Sequence, residues 1–240
     1  MQQRLALDRP TRVPYYAGAL MLMMVIAGCG VRTAPLAPAG LPPVSREVLT
    51  GWLAPHQPVE PLRYDLRWTY QTQQGSARGR AAVVFVPPDS VRFDYRAPFG
   101  RSGAAVIVGD EILWSRPQDD VEQLIRVAPL FWTALGIVPS PHPEASVSGD
   151  EVGSVRRWRY ASRTDTLTFV LTQGRPAANL GAEMRRLGEV VGTVQVEYAD
   201  SVLRPLSARM VFPGSASFVH FTVEAIETVP QVDPSIWKEP

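Results

Sequence analysis

The chain has 240 residues, 45% of them hydrophobic and 20% charged, which is the balance of an ordinary globular protein. Its 24 Lys and Arg against 23 Asp and Glu leave a formal net charge of +1, giving no argument for nucleic acid or a strongly acidic partner. A lone cysteine excludes an internal disulfide, so the fold must stand on its core. Lys238 is the only lysine, and the preference for arginine is read as a coding bias of the source before it is read as phosphate recognition.

The chain opens with Arg4, Arg9 and Arg12, followed by an uncharged stretch from Tyr15 to Ala27 that ends on small residues, the order of an export signal. The apolar run is shorter than the roughly 20 residues a spanning helix needs, so removal is expected. Ile26-Ala27-Gly28 leads directly into the single Cys29, and this resembles the bacterial lipobox. The resemblance implies cleavage after residue 28 and a diacylglycerol on the Cys29 thiol. Two or more acyl chains hold a protein durably at a bilayer without a spanning helix. Gly30 in place of an aspartate implies, by the same resemblance, the outer membrane and its periplasmic face. The other reading is an incidental cysteine at the end of an uncleaved anchor.

Residues 29–44 read as lipidated cysteine plus tether, since Pro35, Pro38, Pro42 and Pro43 favour an extended segment; at about 3.1 Å per residue it would span roughly 40 Å. Ser45 can cap a short helix carrying Val48, Leu49, Trp52 and Leu53, ended by Pro55. From Leu62 the period becomes two: Leu62, Tyr64, Leu66, Trp68 and Tyr70 alternate with Arg63, Asp65, Arg67 and Thr69. A second strand with Ala81, Val83 and Phe85 runs to Val86, and a third holds Val91, Phe93 and Tyr95. A fourth covers Ala104 to Val108, and a Gly109-Asp110 turn leads to a fifth, Glu111 to Ser115.

Helical spacing then takes over. Asp119 or Asp120 can cap a helix with Val121, Leu124, Ile125 and Ala128 on one face. Pro129 suits the first turn of a second piece, Leu130 to Leu135, closed by Gly136. With Phe131 and Trp132, that piece is apolar nearly all round and must be covered by protein or by a ligand. After a Pro-rich connection at Pro139 to Pro143, six further strands are expected, from Ser154 to Ile226, and residues 229–240 form a loosely held tail. The fold class is mainly β (α+β): a single strongly curved antiparallel sheet, or half-open barrel, over residues 45–228, with short helices on its concave side.

No catalytic chemistry presents itself. His56, His142 and His220 are far apart, no pair has metal-ligand spacing, and no nucleophile elbow or phosphate loop is present. Capping accounts for Asp119-Asp120 better than acid-base work, and an exposed sheet position suits His220. The expectation is a protein that is no enzyme and needs no metal or cofactor. What stands out is the bulk of the dry face: Trp68, Phe85, Phe93, Tyr95, Trp114, Phe131 and Trp132 exceed what one thin layer needs. Either the helices fill the sheet completely, or room is left for a guest.

The path from one-sided meander through the Pro98-Phe99-Gly100 loop, a fourth strand, a hairpin ending near Trp114 and a short helix resembles the LolA/LolB-like outer-membrane lipoproteins. The likeness is carried mainly by Val91 to Leu135. It implies an apolar interior that receives acyl chains, lined by Leu66, Trp68, Phe85, Phe93, Tyr95, Trp114, Leu124, Phe131 and Trp132. Family receptors expose a leucine on a rim loop; here Phe99 stands in its place, expected to enter the membrane, with Arg101 beside it for lipid phosphates, unless Phe99 folds back onto the core. The implied partners are the membrane, acyl chains of lipoproteins or other envelope lipids, and a periplasmic carrier protein, with the chain a monomer. The competing reading is a structural or assembly lipoprotein that holds a protein partner without any lipid cavity.

Overall fold

A computed structural model describes residues 36–38, 40–174, 177–199 and 203–239. Cys29, the export signal and the first part of the tether lie outside the described residues. The alternating segments become twelve strands: β1 (Leu62–Gln71), β2 (Ser76–Val86), β3 (Ser90–Arg96), β4 (Ser102–Val108), β5 (Glu111–Arg116), β6 (Ser146–Val152), β7 (Val155–Ala161), β8 (Asp165–Thr172), β9 (Asn179–Arg186), β10 (Glu189–Ala199), β11 (Arg204–Phe212) and β12 (Ser217–Thr228).

All belong to one antiparallel sheet of order β5-β4-β3-β2-β1-β12-β11-β10-β9-β8-β7-β6. Two meanders are thus joined where the first strand pairs with the last, from Leu62↔Thr228 to Gln71↔Phe218. The sheet is open, with β5 and β6 at its edges. Period-two burial places Tyr64, Leu66, Trp68, Val83, Phe85, Val91, Phe93 and their counterparts on one concave face, while arginines and carboxylates take the other.

Three short helices cover the concave face. In α1 (Arg46–Leu53), Ser45 Oγ accepts from Val48 N–H at 3.3 Å, and Leu49 and Leu53 are buried. Such a cap is worth about 1 kcal/mol. The pieces α2 (Gln118–Ile125) and α3 (Ala128–Ala134) follow β5. Pro117, not Asp119 or Asp120, occupies the cap position of α2 and makes no side-chain bond. Both aspartates lie in the first turn, where the helix dipole favours negative charge.

Three segments differ from expectation. Strand β6 falls between the Pro139–Pro143 connection and the strand expected from Ser154, where the sequence predicts no element, because Ser146-Val147-Ser148-Gly149 lacks apolar alternation; as an edge strand it has little to bury. Its Gly149 is obligatory in space, since a Cβ there would stand 2.7 Å from the Trp52 ring and 2.6 Å from the Arg157 carbonyl. The later part of the tether is docked: Gly149 N–H donates to Pro42 O and Val44 N–H to Val147 O, and Arg159 donates to Pro38 O at 2.9 Å. Ala37 is buried. The tail is docked as well, across the convex face of β3–β5.

Candidate functional site

The concave face is a continuous aromatic surface. Phe93 meets Phe131 edge-on with centroids 5.5 Å apart, Phe131 meets Phe221 at 6.0 Å, Phe85 meets Trp132 at 5.9 Å and Trp68 meets Tyr95 at 5.8 Å. Such edge-to-face pairs add about 0.5–1.5 kcal/mol beyond their buried area. The Trp132 indole N–H donates to Gly109 O at 2.6 Å, and that of Trp68 to Arg80 O at 3.1 Å, so neither ring buries an unpaired donor. Leu66, Trp68, Phe85, Phe93, Tyr95, Leu124, Phe131 and Trp132 are all buried together in one cluster. The structure therefore brings eight of the nine residues read as cavity lining into one place.

What fills the bowl is α3. Leu130, Phe131, Trp132, Ala134 and Leu135 are buried, as expected for a helix apolar nearly all round, and their cover is the sheet itself. Gly192 of β10 lets the helix approach, since a Cβ there would lie 2.8 Å from Leu130 Cδ1. Free space remains at the end of the strands where β1 begins and β12 ends. There a cavity of about 200 Å³ is lined by His56, Tyr64, Leu135, Ile137, Pro205 and Ile226, among others. It is smaller than the roughly 300–1,000 Å³ of sites that enclose a drug-sized ligand.

His56 is buried at this end, in a turn at Ala54–His56 that packs under the loop after α3. Its Nδ1 lies 3.4 Å from the Tyr198 hydroxyl, and its Nε2 has no hydrogen-bond partner among the described residues. Burial pushes the imidazole down to about 4, against a partial counterweight from the Gly136 carbonyl. Desolvation likewise drives the Tyr64 and Tyr198 hydroxyls up.

Trp114 is the exception among the lining residues, and its assignment is corrected. Ile107 pairs with Ile112 but Val106 pairs with Trp114, so Leu113 is an extra residue that turns the next side chain to the other face. Trp114 consequently lies on the convex side, beneath the Arg92 guanidinium at 4.9 Å, and its indole donates to Trp237 O at 3.0 Å. Arg92 donates to Ile236 O at 2.5 Å, and Arg116 pairs with Glu239 at 2.6 Å. These contacts hold down the tail.

At the opposite end of the strands the loops are exposed. Phe99 is 103% exposed and has φ 63°, with Gly100 at φ 76°. It does not fold back onto the core. Arg101, itself exposed, pairs with Asp120 at 2.6 Å, and the Tyr95 hydroxyl donates to the same carboxylate at 3.3 Å. Burial first, and then that carboxylate, push the Tyr95 hydroxyl up to about 12. The Phe99 loop is thus fastened to the first turn of α2.

No family model matches the sequence, and no curated protein is detectably similar to it. Among solved structures, a LolA superfamily protein from Nitrosomonas europaea superimposes with a TM-score of 0.55 at 9% identity, over 82% of this chain and 98% of that one. The chain has the LolA-type fold. More distant are a putative outer membrane lipoprotein-sorting protein domain from Vibrio parahaemolyticus (TM-score 0.46, 7% identity, 80% of this chain and 94% of that one) and a DUF1329 family protein from Desulfovibrio piger (0.43, 8%, 80% and 95%).

Two features of this LolA-type sheet escaped the reading of the sequence. Leu187, between β9 and β10, is 76% exposed and occupies a two-residue turn with positive φ at both Leu187 and Gly188. The signal was present, since Leu-Gly at a hairpin tip puts a leucine where asparagine is favoured. The second feature is a basic groove on the convex face, lined by Arg67, Arg78, Arg80 and His220, which only cross-strand register brings together.

Proposed function

We propose that the chain is a lipid-anchored envelope protein that binds acyl chains on the concave face of its sheet, receiving or passing on lipoproteins or lipids at the periplasmic face of the outer membrane. Cys29 carries the anchor, and a periplasmic carrier protein is the source or destination of the client. The observation that carries this reading is α3: a seven-residue helix, apolar nearly all round, seated on the aromatic face of an open sheet. A helix of that length has little stability of its own, so packing alone keeps it there. A guest hydrocarbon can take its place at small cost in buried apolar area. With α3 seated on the aromatic face, the cavity of about 200 Å³ lies away from it, at the end where β1 begins, so binding on that face requires α2 and α3 to move away from Phe93, Phe85 and Phe221. The work done is transfer of a hydrocarbon between dry surfaces and not bond chemistry.

The test pins the helix. In the full chain with Cys29→Ser, the pair Leu130→Cys and Gly192→Cys joins α3 to β10 when oxidised. Uptake of a fluorescent fatty acid is expected to vanish on oxidation and to return with reductant. Uptake that is indifferent to the cross-link, or absent in the parent as well, overturns the reading and favours a partner-holding lipoprotein.

A further inference from the structure

The convex face carries an arrangement that sheet stability does not explain. Register places Arg96 directly opposite Arg80, and Arg80 directly opposite Arg67. Three arginines in one cross-strand row repel one another, an arrangement that destabilises a sheet. In the next row Arg78 lies opposite Thr69, which lies opposite His220. Of these side chains, Arg67, Thr69, Arg78, Arg80 and His220 border a groove of about 540 Å³, with Pro98 at its wall. Glu224 answers Arg67 at 2.7 Å and Arg80 at 3.9 Å, and Arg78 has no acidic partner among the described residues. Three guanidinium groups to one carboxylate leave the groove short of negative charge.

Its position supplies the second part of the argument. Pro98 belongs to the loop that thrusts Phe99 into solvent, so the groove opens beside an exposed apolar tip. Leu187 projects from the same end of the strands, six strands further along the sheet order, and is likewise held at positive φ, 51°. Its turn is fastened by the Leu187 N–H to Thr164 O bond of 2.7 Å. Large apolar side chains in left-handed backbone cost stability and gain nothing in water. Apolar tips combined with an arginine groove match an interface in which hydrocarbon lies just beneath phosphate. A guanidinium fork fits a phosphate oxygen pair better than any other common side chain does.

Entry of Phe99 into a membrane is what the LolA/LolB resemblance already implies; we propose in addition that Leu187 is a second apolar tip seated on the same anionic bilayer, and that Arg67, Arg78 and Arg80 take a phospholipid headgroup phosphate in the groove beside Pro98. The site deepens the lipid-handling reading, and rests on it for the nearness of a membrane, but it involves a different face of the sheet and can be tested separately. Bound in this way, the Phe99 loop is drawn toward lipid while Arg101 still holds Asp120 of α2, so docking and the cover of the bowl share one loop.

The experiment uses the full chain with Cys29→Ser and an environment-sensitive fluorophore on Phe99→Cys, Leu187→Cys or Val59→Cys, the last being 90% exposed at the opposite end of the strands. Vesicles are phosphatidylcholine, alone or mixed with phosphatidylglycerol. Emission from positions 99 and 187 is expected to shift to the blue with the mixed vesicles and that from position 59 to stay unchanged. Arg78→Glu with Arg80→Glu is expected to weaken the response about ten-fold or more. A label at 187 that stays in water while 99 shifts overturns the two-point seating. Inorganic phosphate that displaces the protein from vesicles assigns the groove to a free anion and overturns the lipid assignment. Fatty-acid uptake by the same proteins separates the two ideas: labels that enter the bilayer without any uptake sink the carrier reading and leave this surface standing.

Discussion

The two ends of the strands have been solved by opposite means. At the end where β1 starts, the Ala54–His56 turn, the loop after α3 and the first residues of β1 and β11 close on one another, so that even a histidine is buried without a full set of partners. At the other end, phenylalanine and leucine are held in solvent on backbone that strongly favours glycine. Packing specifies the first end; nothing in the folded domain rewards the second. Strain without an internal reward is where function is to be looked for.

The contrast is broken most forcefully in the middle of the bowl. Phe131 is fully buried between Phe93 and Phe221, and Phe131→Ala is expected to cost about 3–5 kcal/mol in urea unfolding. A loss below about 1 kcal/mol would mean that α3 is not seated on the sheet in solution, and that the free bowl is larger than the structure shows.

The closed end should reveal itself through pH. Burial holds the His56 imidazole neutral, with its pKa lowered from 6.5 to about 4, whereas the unfolded chain takes up the proton near 6.5. Between these values the unfolded state binds more protons, so stability rises with pH. The contribution is complete above 6.5 and is lost as pH falls toward 4, amounting to about 3 kcal/mol at most. His56→Gln should flatten unfolding free energy across that window, and an unchanged slope would place the ring in water.

Much of the fold was legible, because strands with one dry face announce themselves by alternation. Eleven of the twelve strands, the Ser45 cap and the two helical pieces of the insert follow from period alone. Edge strand β6 did not, since an edge with little to bury needs no pattern. Which residues take the dry face was legible for the same reason, with one failure: the Leu113 bulge inverts the side chains after it in β5, and no sequence period marks a single inserted residue; the cavity at the far end of the strands is lined by none of the residues read as its lining. The arginine row was illegible because Arg67, Arg80 and Arg96 come from three strands, each with an ordinary polar face. Only register sets three solvated positions side by side in one charged row.

The smallest expected effect separates the two ends most sharply. Phe99 has φ 63° and ψ 28° and no neighbour to pack against, so the wild-type residue contributes strain and no burial. Phe99→Gly removes that strain but makes the unfolded chain more flexible, and the two terms leave a net gain of about 0.5–1 kcal/mol in stability. No buried aromatic of the bowl can be replaced by glycine with a gain, so the sign alone distinguishes rim from core. Thermal unfolding at constant pH reads it. A clear loss of stability would mean that the ring is covered by the domain itself, and Phe99 would then have no claim on the membrane.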